Sequence, residues 1–291
     1  MQGILLKAIS GFYYVNCDGV TYECKARGNF RKSGISPVVG DRVEITVIDG
    51  EKGVVEKVCE RKNLLNRPLV ANIDKLVIVS SYATPSPDTF MIDRLSALAV
   101  YHNISPVIVF NKCDQGDFSY FQGIYSRVGF PTYTVSAKTG EGIDDLSKEL
   151  AGCVCAFAGN SGVGKSSILN ALFGELNLAT GDVSEKLGRG RHTTRHTELF
   201  SNKLGGFVAD TPGFSSIEPD NNYDFKEKLE DCFPEFSEYV CDCRFSSCTH
   251  TCEKGCAVLE AVSNGRVEET RLESYRALFE EYKDLKPWMK K

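Results

Sequence analysis

A chain of 291 residues, 42% hydrophobic and 25% charged, has the profile of an ordinary globular protein with room for two or three domains. A net charge of −5 excludes a protein basic throughout that holds nucleic acid by bulk charge, and no apolar run nears the roughly 18 residues of a membrane span. The opening "MQGILLKAISGF" has no secretory pattern, so the 12 cysteines are expected to be reduced core thiols plus a metal site in a cytoplasmic protein.

Residues 1–68 hold 11 Lys/Arg against 8 Asp/Glu, while the rest of the chain holds 23 against 31, so the N-terminal part is the better candidate for touching phosphate backbones. Its short runs "GFYYVNC", "VTYECKA", "DRVEITVI" and "KGVVEKV", punctuated by Gly, Asn and Asp, predict a small barrel or sandwich. From about residue 72 the pattern changes. "KLVIVSS", "PVIVFNK", "TYTVS" and "CVCAFAG" read as strands, alternating with helices over 88–103, near 117–128, over 142–150 and from "GKSSILNALF". Strands and helices alternating at this spacing predict a parallel, doubly wound sheet. Beyond residue 222 the chain turns helical and cysteine-rich, ending in "RVEETRLESYRALFEEYKDL".

Three groups of residues carry the chemistry. The run Gly159, Asn160, Ser161, Gly162, Val163, Gly164, Lys165, Ser166, followed by Ser167, fits a phosphate-binding loop between an apolar strand and a helix. Its glycines let successive N–H groups face phosphate oxygens, Lys165 can reach the β- and γ-phosphates, and the Ser166 hydroxyl can ligate Mg²⁺. Asp210-Thr-Pro-Gly213 ends the strand "GGFVAD", where Asp210 can hold the Mg²⁺ shell and the Gly213 N–H can meet a γ-phosphate. Between them, "GRGRHTTRHTELF" offers Thr194, or its rival Thr193, as a further hydroxyl for Mg²⁺.

Asn111, Lys112, Cys113 and Asp114 end the strand "PVIVF", and Ser136, Ala137 and Lys138 end the next one. The Asp114 carboxylate suits guanine, accepting from the ring N–H and the exocyclic amine; adenine presents the opposite polarity. In a Ras-like GTPase the phosphate loop precedes the base reader, whereas here the base reader comes first. Ligands of an open α/β sheet bind at the carboxyl ends of its strands, so chain order is free to vary while the site is kept. The chain thus resembles a circularly permuted Ras-like GTPase.

Residues 243–256 contain Cys-x4-Cys-x-His-x5-Cys, three thiolates and one imidazole, which suits a closed tetrahedral structural zinc site. Cys241 and Cys252 lie close by, and spacing alone does not say which four are ligands.

Together with "PVVGDRV" (37–43), "GRGRHTT" (188–194) and "DCRFSSCTH" (242–250), these features resemble the ribosome small-subunit-dependent GTPase A family over essentially the whole chain. The resemblance implies a multi-domain α/β protein: an OB-fold barrel at 1–68, a permuted P-loop GTPase at 69–222 and a helical zinc-binding domain at 223–291. It implies a late maturation factor of the small (30S) ribosomal subunit. The expected partners are GTP or GDP with Mg²⁺ held by Ser166, Thr194 and Asp210, one zinc on Cys243, Cys248, His250 and Cys256, and the subunit with its rRNA. No membrane and a monomeric state are expected.

Ras-like enzymes orient the attacking water with a Gln beside the Asp-x-x-Gly glycine; Phe214 stands there instead. His192 is the candidate for that task, with RNA contact or simple solvation as its alternatives. The second switch also runs almost directly into the C-terminal region, so its motion is expected to be passed on there. The competing functions are a GTPase switch acting on another RNA or protein complex, and an RNA-binding module that never turns nucleotide over.

Overall fold

The computed structural model describes residues 1–27, 30, 36–82, 87–173, 197–201, 205–210, 214, 217–219 and 221–287. The first strands are β1 (Gln2–Ile9), β2 (Phe12–Cys17), β3 (Val20–Ala26), β4 (Arg42–Asp49) and β5 (Lys52–Val58). They run β1-β2-β3-β5-β4, and β1 pairs with β4 to close a barrel in which β3 and β5 are parallel. Leu5, Val15, Cys24, Val43, Ile45 and Val55 fill its interior. The strand runs read from the sequence correspond to β2–β5, but β1 is not among them. Only Leu5 of β1 is fully buried, and the strand shifts register between Leu5 and Lys7, which erases the alternation that marks a strand. That shift has a purpose in the fold. Residues 2–4 pair with β4, and Lys7 pairs with Glu198 of β12 (Glu198–Ser201), so one strand serves both barrel and central sheet.

A hairpin of β6 (Leu64–Asn66) and β7 (Leu69–Ala71) joins the two. Its Ala71 N–H donates to the Val39 carbonyl, and Asn72 donates to the Gly40 carbonyl. At Gly40, φ is +88° and a Cβ would strike the Ala71 carbonyl, so the "PVVGD" turn needs glycine. Buried Asp41 completes the turn by accepting from the Val38 N–H and from Arg61 through two nitrogens. The expected division at residue 68 falls inside this hairpin.

The central sheet adds β8 (Lys75–Ser81), β9 (Ser105–Asn111), β10 (Thr132–Val135), β11 (Val154–Ala158) and β13 (Phe207–Asp210), in the order β10-β9-β8-β11-β13-β12. All neighbours are parallel except β12 and β13. Leu76–Val79 and Val107–Phe110 are buried without interruption, because β8 and β9 are covered on both faces. Helices α1 (Thr89–Tyr101), α2 (Ser119–Val128), α3 (Ile143–Glu149) and α4 (Lys165–Phe173) supply the cover. Asp88 caps α1, its side chain accepting from the Met91 N–H.

The C-terminal region comprises α5 (Asn222–Glu227), three 3-10 turns between Glu230 and Asp242, α6 (Ala257–Ser263) and α7 (Glu269–Tyr282). It packs on α1. Arg271 of α7, fully buried, donates to Asp93 of α1 at 2.8 Å and to both Glu235 oxygens at 2.6 and 3.2 Å. Burial opposes the guanidinium charge, but Asp93 and Glu235 outweigh it and raise its pKa. The chain between second switch and C-terminal region is pinned to the end of α1. His102 Nε2 lies 3.2 Å from the Glu218 carbonyl, the Tyr101 hydroxyl donates to Asp224 at 2.8 Å, and Phe214 and Ile217 are buried.

Candidate functional site

The strand order sets β8 between β9 and β11, so the chain leaves β8 in one direction toward β10 and returns to its other side at β11. Loops that follow β9, β10 and β11 therefore meet at one edge of the sheet, at a topological switch point where α/β proteins hold their ligands.

Asn111 ties all three together. Its side-chain amide donates to the Val163 carbonyl of the phosphate loop at 2.9 Å, and its oxygen accepts from the Ala137 N–H at 3.2 Å. It is 2% exposed, and a Cβ on Gly164 would collide with its amide nitrogen, so Gly164 is required by this contact as well as by its φ of +95°. Lys112 takes the left-handed conformation, φ 67°, which is uncommon outside glycine, and its ammonium donates to the Gly162 carbonyl at 3.1 Å. Ser136, wholly buried, donates from its hydroxyl to Asp114 Oδ1 at 2.7 Å and accepts from the Thr139 N–H. Asp114 and Lys138 are exposed at the edge. Burial first, then the nearby Glu141, pushes the Cys113 thiol up.

The phosphate loop wraps from β11 into α4. Gly159, at φ +132°, lies so close to β8 that a Cβ would strike the Val79 carbonyl. Lys165 is the first residue of α4, and its ammonium donates to the Gly159 and Asn160 carbonyls at 2.8 Å each, which spans it across the loop. Val163 is buried, while Ser161 and Gly162 are exposed and Ser166 and Ser167 are half-buried at the helix N-terminus, where backbone N–H groups and the helix dipole favour an anion. Asp210 ends β13 in register with Glu198. Thr193, Thr194, His192 and Gly213 lie outside the described residues. Phe214 is 1% exposed and packs in the main core, so it is an anchor and takes no part in orienting water.

The second cluster is compact. The Sγ atoms of Cys243, Cys248 and Cys256 and a ring nitrogen of His250 all lie within 4.8 Å of one another. His250 Nδ1 faces inward, 3.6 Å from Cys243 Sγ and 3.3 Å from Cys256 Sγ, and the two sulfurs are 3.9 Å apart. These separations match the edges of a tetrahedron about 2.3 Å in radius, and three thiols with one imidazole form a donor set that suits zinc. Cys241 and Cys252 are exposed and outside the cluster. Sequence reading missed Glu230. Its carboxylate lies 2.7 Å from His250 Nε2 and fixes which nitrogen turns inward. Glu230 stands 20 residues before His250, with no motif to mark it.

A phosphate loop, a guanine-type reader and an Asp-x-x-Gly strand end, gathered on one sheet in permuted order, define a circularly permuted P-loop GTPase. The comparisons narrow the class. Residues 58–220 match the RsgA GTPase family model, and residues 2–55 match the RsgA N-terminal domain. The small ribosomal subunit biogenesis GTPase RsgA of Agathobacter rectalis is 43% identical, covering 98% of this chain and 99% of that one. Its counterpart from Geobacillus thermodenitrificans is also 43% identical, over 98% and 99%. Among solved structures, YjeQ from Thermotoga maritima superposes with a TM-score of 0.84 at 37% identity, covering 98% of this chain and 99% of that one. YloQ, described as a circularly permuted GTPase, gives 0.82 at 34% identity, over 98% and 96%. The chain belongs to the RsgA GTPase family.

Proposed function

We propose that this protein hydrolyses GTP to GDP and phosphate as a maturation factor of the small ribosomal subunit, and that the subunit stimulates turnover. The observation that carries the proposal is Asn111. It joins the base-reading loops to the phosphate loop by direct hydrogen bonds, so motifs in permuted order serve one nucleotide.

Each part then has a task. Asp114 reads guanine, with Ser136 orienting its carboxylate. The backbone of 159–167 cradles the phosphates with Lys165 as the cation, and Ser166, Thr194 and Asp210 would hold the Mg²⁺ that accompanies the nucleotide. Gly213 donates its N–H to the γ-phosphate. Buried Phe214 leaves the attacking water without the usual side-chain partner, so unstimulated hydrolysis is slow. We assign His192 to orient that water. Zinc on Cys243, Cys248, His250 and Cys256 would brace the C-terminal region, and closed four-fold coordination leaves it no catalytic position. The division into a barrel (1–68), a GTPase (69–222) and a zinc-binding domain (223–291) assigns rRNA contact to the barrel in a cytoplasmic monomer.

GTP turnover measured alone, with free RNA, and with isolated small or large ribosomal subunits tests the reading. Stimulation confined to small subunits supports it. Stimulation by another partner points to a switch with a different target, and no turnover under any condition leaves a binding module. Full stimulated turnover in His192→Ala would overturn the assignment of that residue.

A further inference from the structure

The base-reading loop leaves β9 at Asn111, passes through a 3-10 turn at Cys113–Gln115 and reaches Gly116. Gly116 has φ −179° and ψ 169°, an extended conformation open to any residue, so the backbone does not ask for glycine here. Tyr82 does. A Cβ on Gly116 would collide with the Cε2, Cζ and Cδ2 atoms of the Tyr82 ring, which means that the ring lies directly on the glycine backbone.

The same ring meets Phe118 edge-on, with centroids 5.6 Å apart and an interplanar angle of 88°. Phe118 in turn stacks on Phe110, at 5.0 Å and 23°. Phe110 immediately precedes Asn111, so both ends of the loop that carries Asp114 rest on one run of aromatic rings. Tyr82 is the outermost ring, and it comes from a different strand end, directly after Ser81 of β8. Phe110 and Phe118 are at most 2% exposed, whereas Tyr82 is 47% exposed. Burial alone does not account for a large ring held half in water against a glycine.

We propose that Tyr82 is a positioning residue for guanine recognition: its ring clamps Gly116 and sets the height and tilt of the Asp114 carboxylate. This rests on the reading of Asp114 as the base reader. A carboxylate that accepts two parallel hydrogen bonds is sensitive to tilt, since such bonds weaken steeply away from linearity. Ser136 holds one Asp114 oxygen from the β10 side, and Tyr82 holds the loop from the other. Removing the ring leaves a single tether, and the paired bonds to the ring N–H and the exocyclic amine, which together need both oxygens in place, are weakened.

The test is binding of GDP, IDP and ADP to the full chain, measured by titration calorimetry for wild type, Tyr82→Ala, Tyr82→Phe and Gly116→Ala. IDP lacks the exocyclic amine, so the GDP-to-IDP affinity ratio reports the geometry of Asp114. Tyr82→Ala is expected to weaken GDP about tenfold and to shrink that ratio severalfold, with unchanged circular dichroism. Tyr82→Phe keeps the ring and should keep both values, while Gly116→Ala, which pushes the ring away, should follow Tyr82→Ala. An unchanged ratio in Tyr82→Ala overturns the proposal, even if overall affinity falls. A wild-type protein that does not prefer GDP to ADP overturns the base-reader assignment itself, an outcome separate from the first.

Discussion

The Cys/His cluster takes its four donors from Cys243 to Cys256, 14 consecutive residues, whereas the nucleotide loops are gathered from residues as far apart as Asn111 and Asp210. The first is held by its own local turns, by Glu230 behind His250 and by whatever it binds. The second exists only because β8 lies between β9 and β11 and because Asn111 spans the gap. A contiguous site should fail when one donor is lost and leave the rest of the molecule standing. A dispersed site should tolerate the loss of a ligand contact without losing its frame, but not the loss of the frame.

The largest expected effect is on the contiguous site. Cys248→Ala should abolish stoichiometric zinc by elemental analysis and strip amide protection from residues 240–256, while the central sheet stays protected. Loss of protection in β8–β11 as well would break the contrast. Next comes Arg271→Met, which leaves Asp93 and Glu235 facing each other without the charge between them. It should cost about 3–5 kcal/mol in denaturant unfolding, because an uncompensated buried charge is expensive. A cost below about 1 kcal/mol would mean that the C-terminal region is held by apolar packing alone. Asp114→Asn should lower GTP affinity by about 100-fold or more and leave unfolding unchanged, since it removes a ligand contact and no part of the frame. The smallest is Glu230→Gln, expected to weaken zinc binding by about 10–100-fold in chelator competition, with the metal still bound at high concentration. Equal zinc affinity in Glu230→Gln would show that backbone turns alone orient His250.

This contrast also explains what was legible in the sequence. Motif spacing reveals donors that are close in the chain, and strand-end placement reveals loops that sheet topology must bring together. Both kinds of motif were therefore visible as candidates, and the four parallel strands from "KLVIVSS" to "CVCAFAG" were readable. Glu230 was hidden because its role depends on a 3-10 turn packing under His250. Tyr82 was hidden because a ring lying on a glycine leaves no trace in spacing. β1 was hidden because its two halves have different neighbours, so no single face alternates along it. The link after the second switch was expected from the sequence only to pass motion on to the C-terminal region. In the fold it is fastened to α1 through Tyr101 and His102, contacts between residues more than 100 positions apart.

The double duty of β1 has a consequence while the chain is still being made. The barrel strands emerge first, but the strand that pairs with β1 at Lys7 is not synthesised until Glu198. At about 5–20 residues per second, that half of β1 waits on the order of ten to forty seconds with its hydrogen-bonding edge open. An open edge invites pairing with another nascent chain, and a lysine in the middle of it is a common deterrent. Lys7, which in the finished molecule holds Glu198 at 2.7 Å, stands at that position.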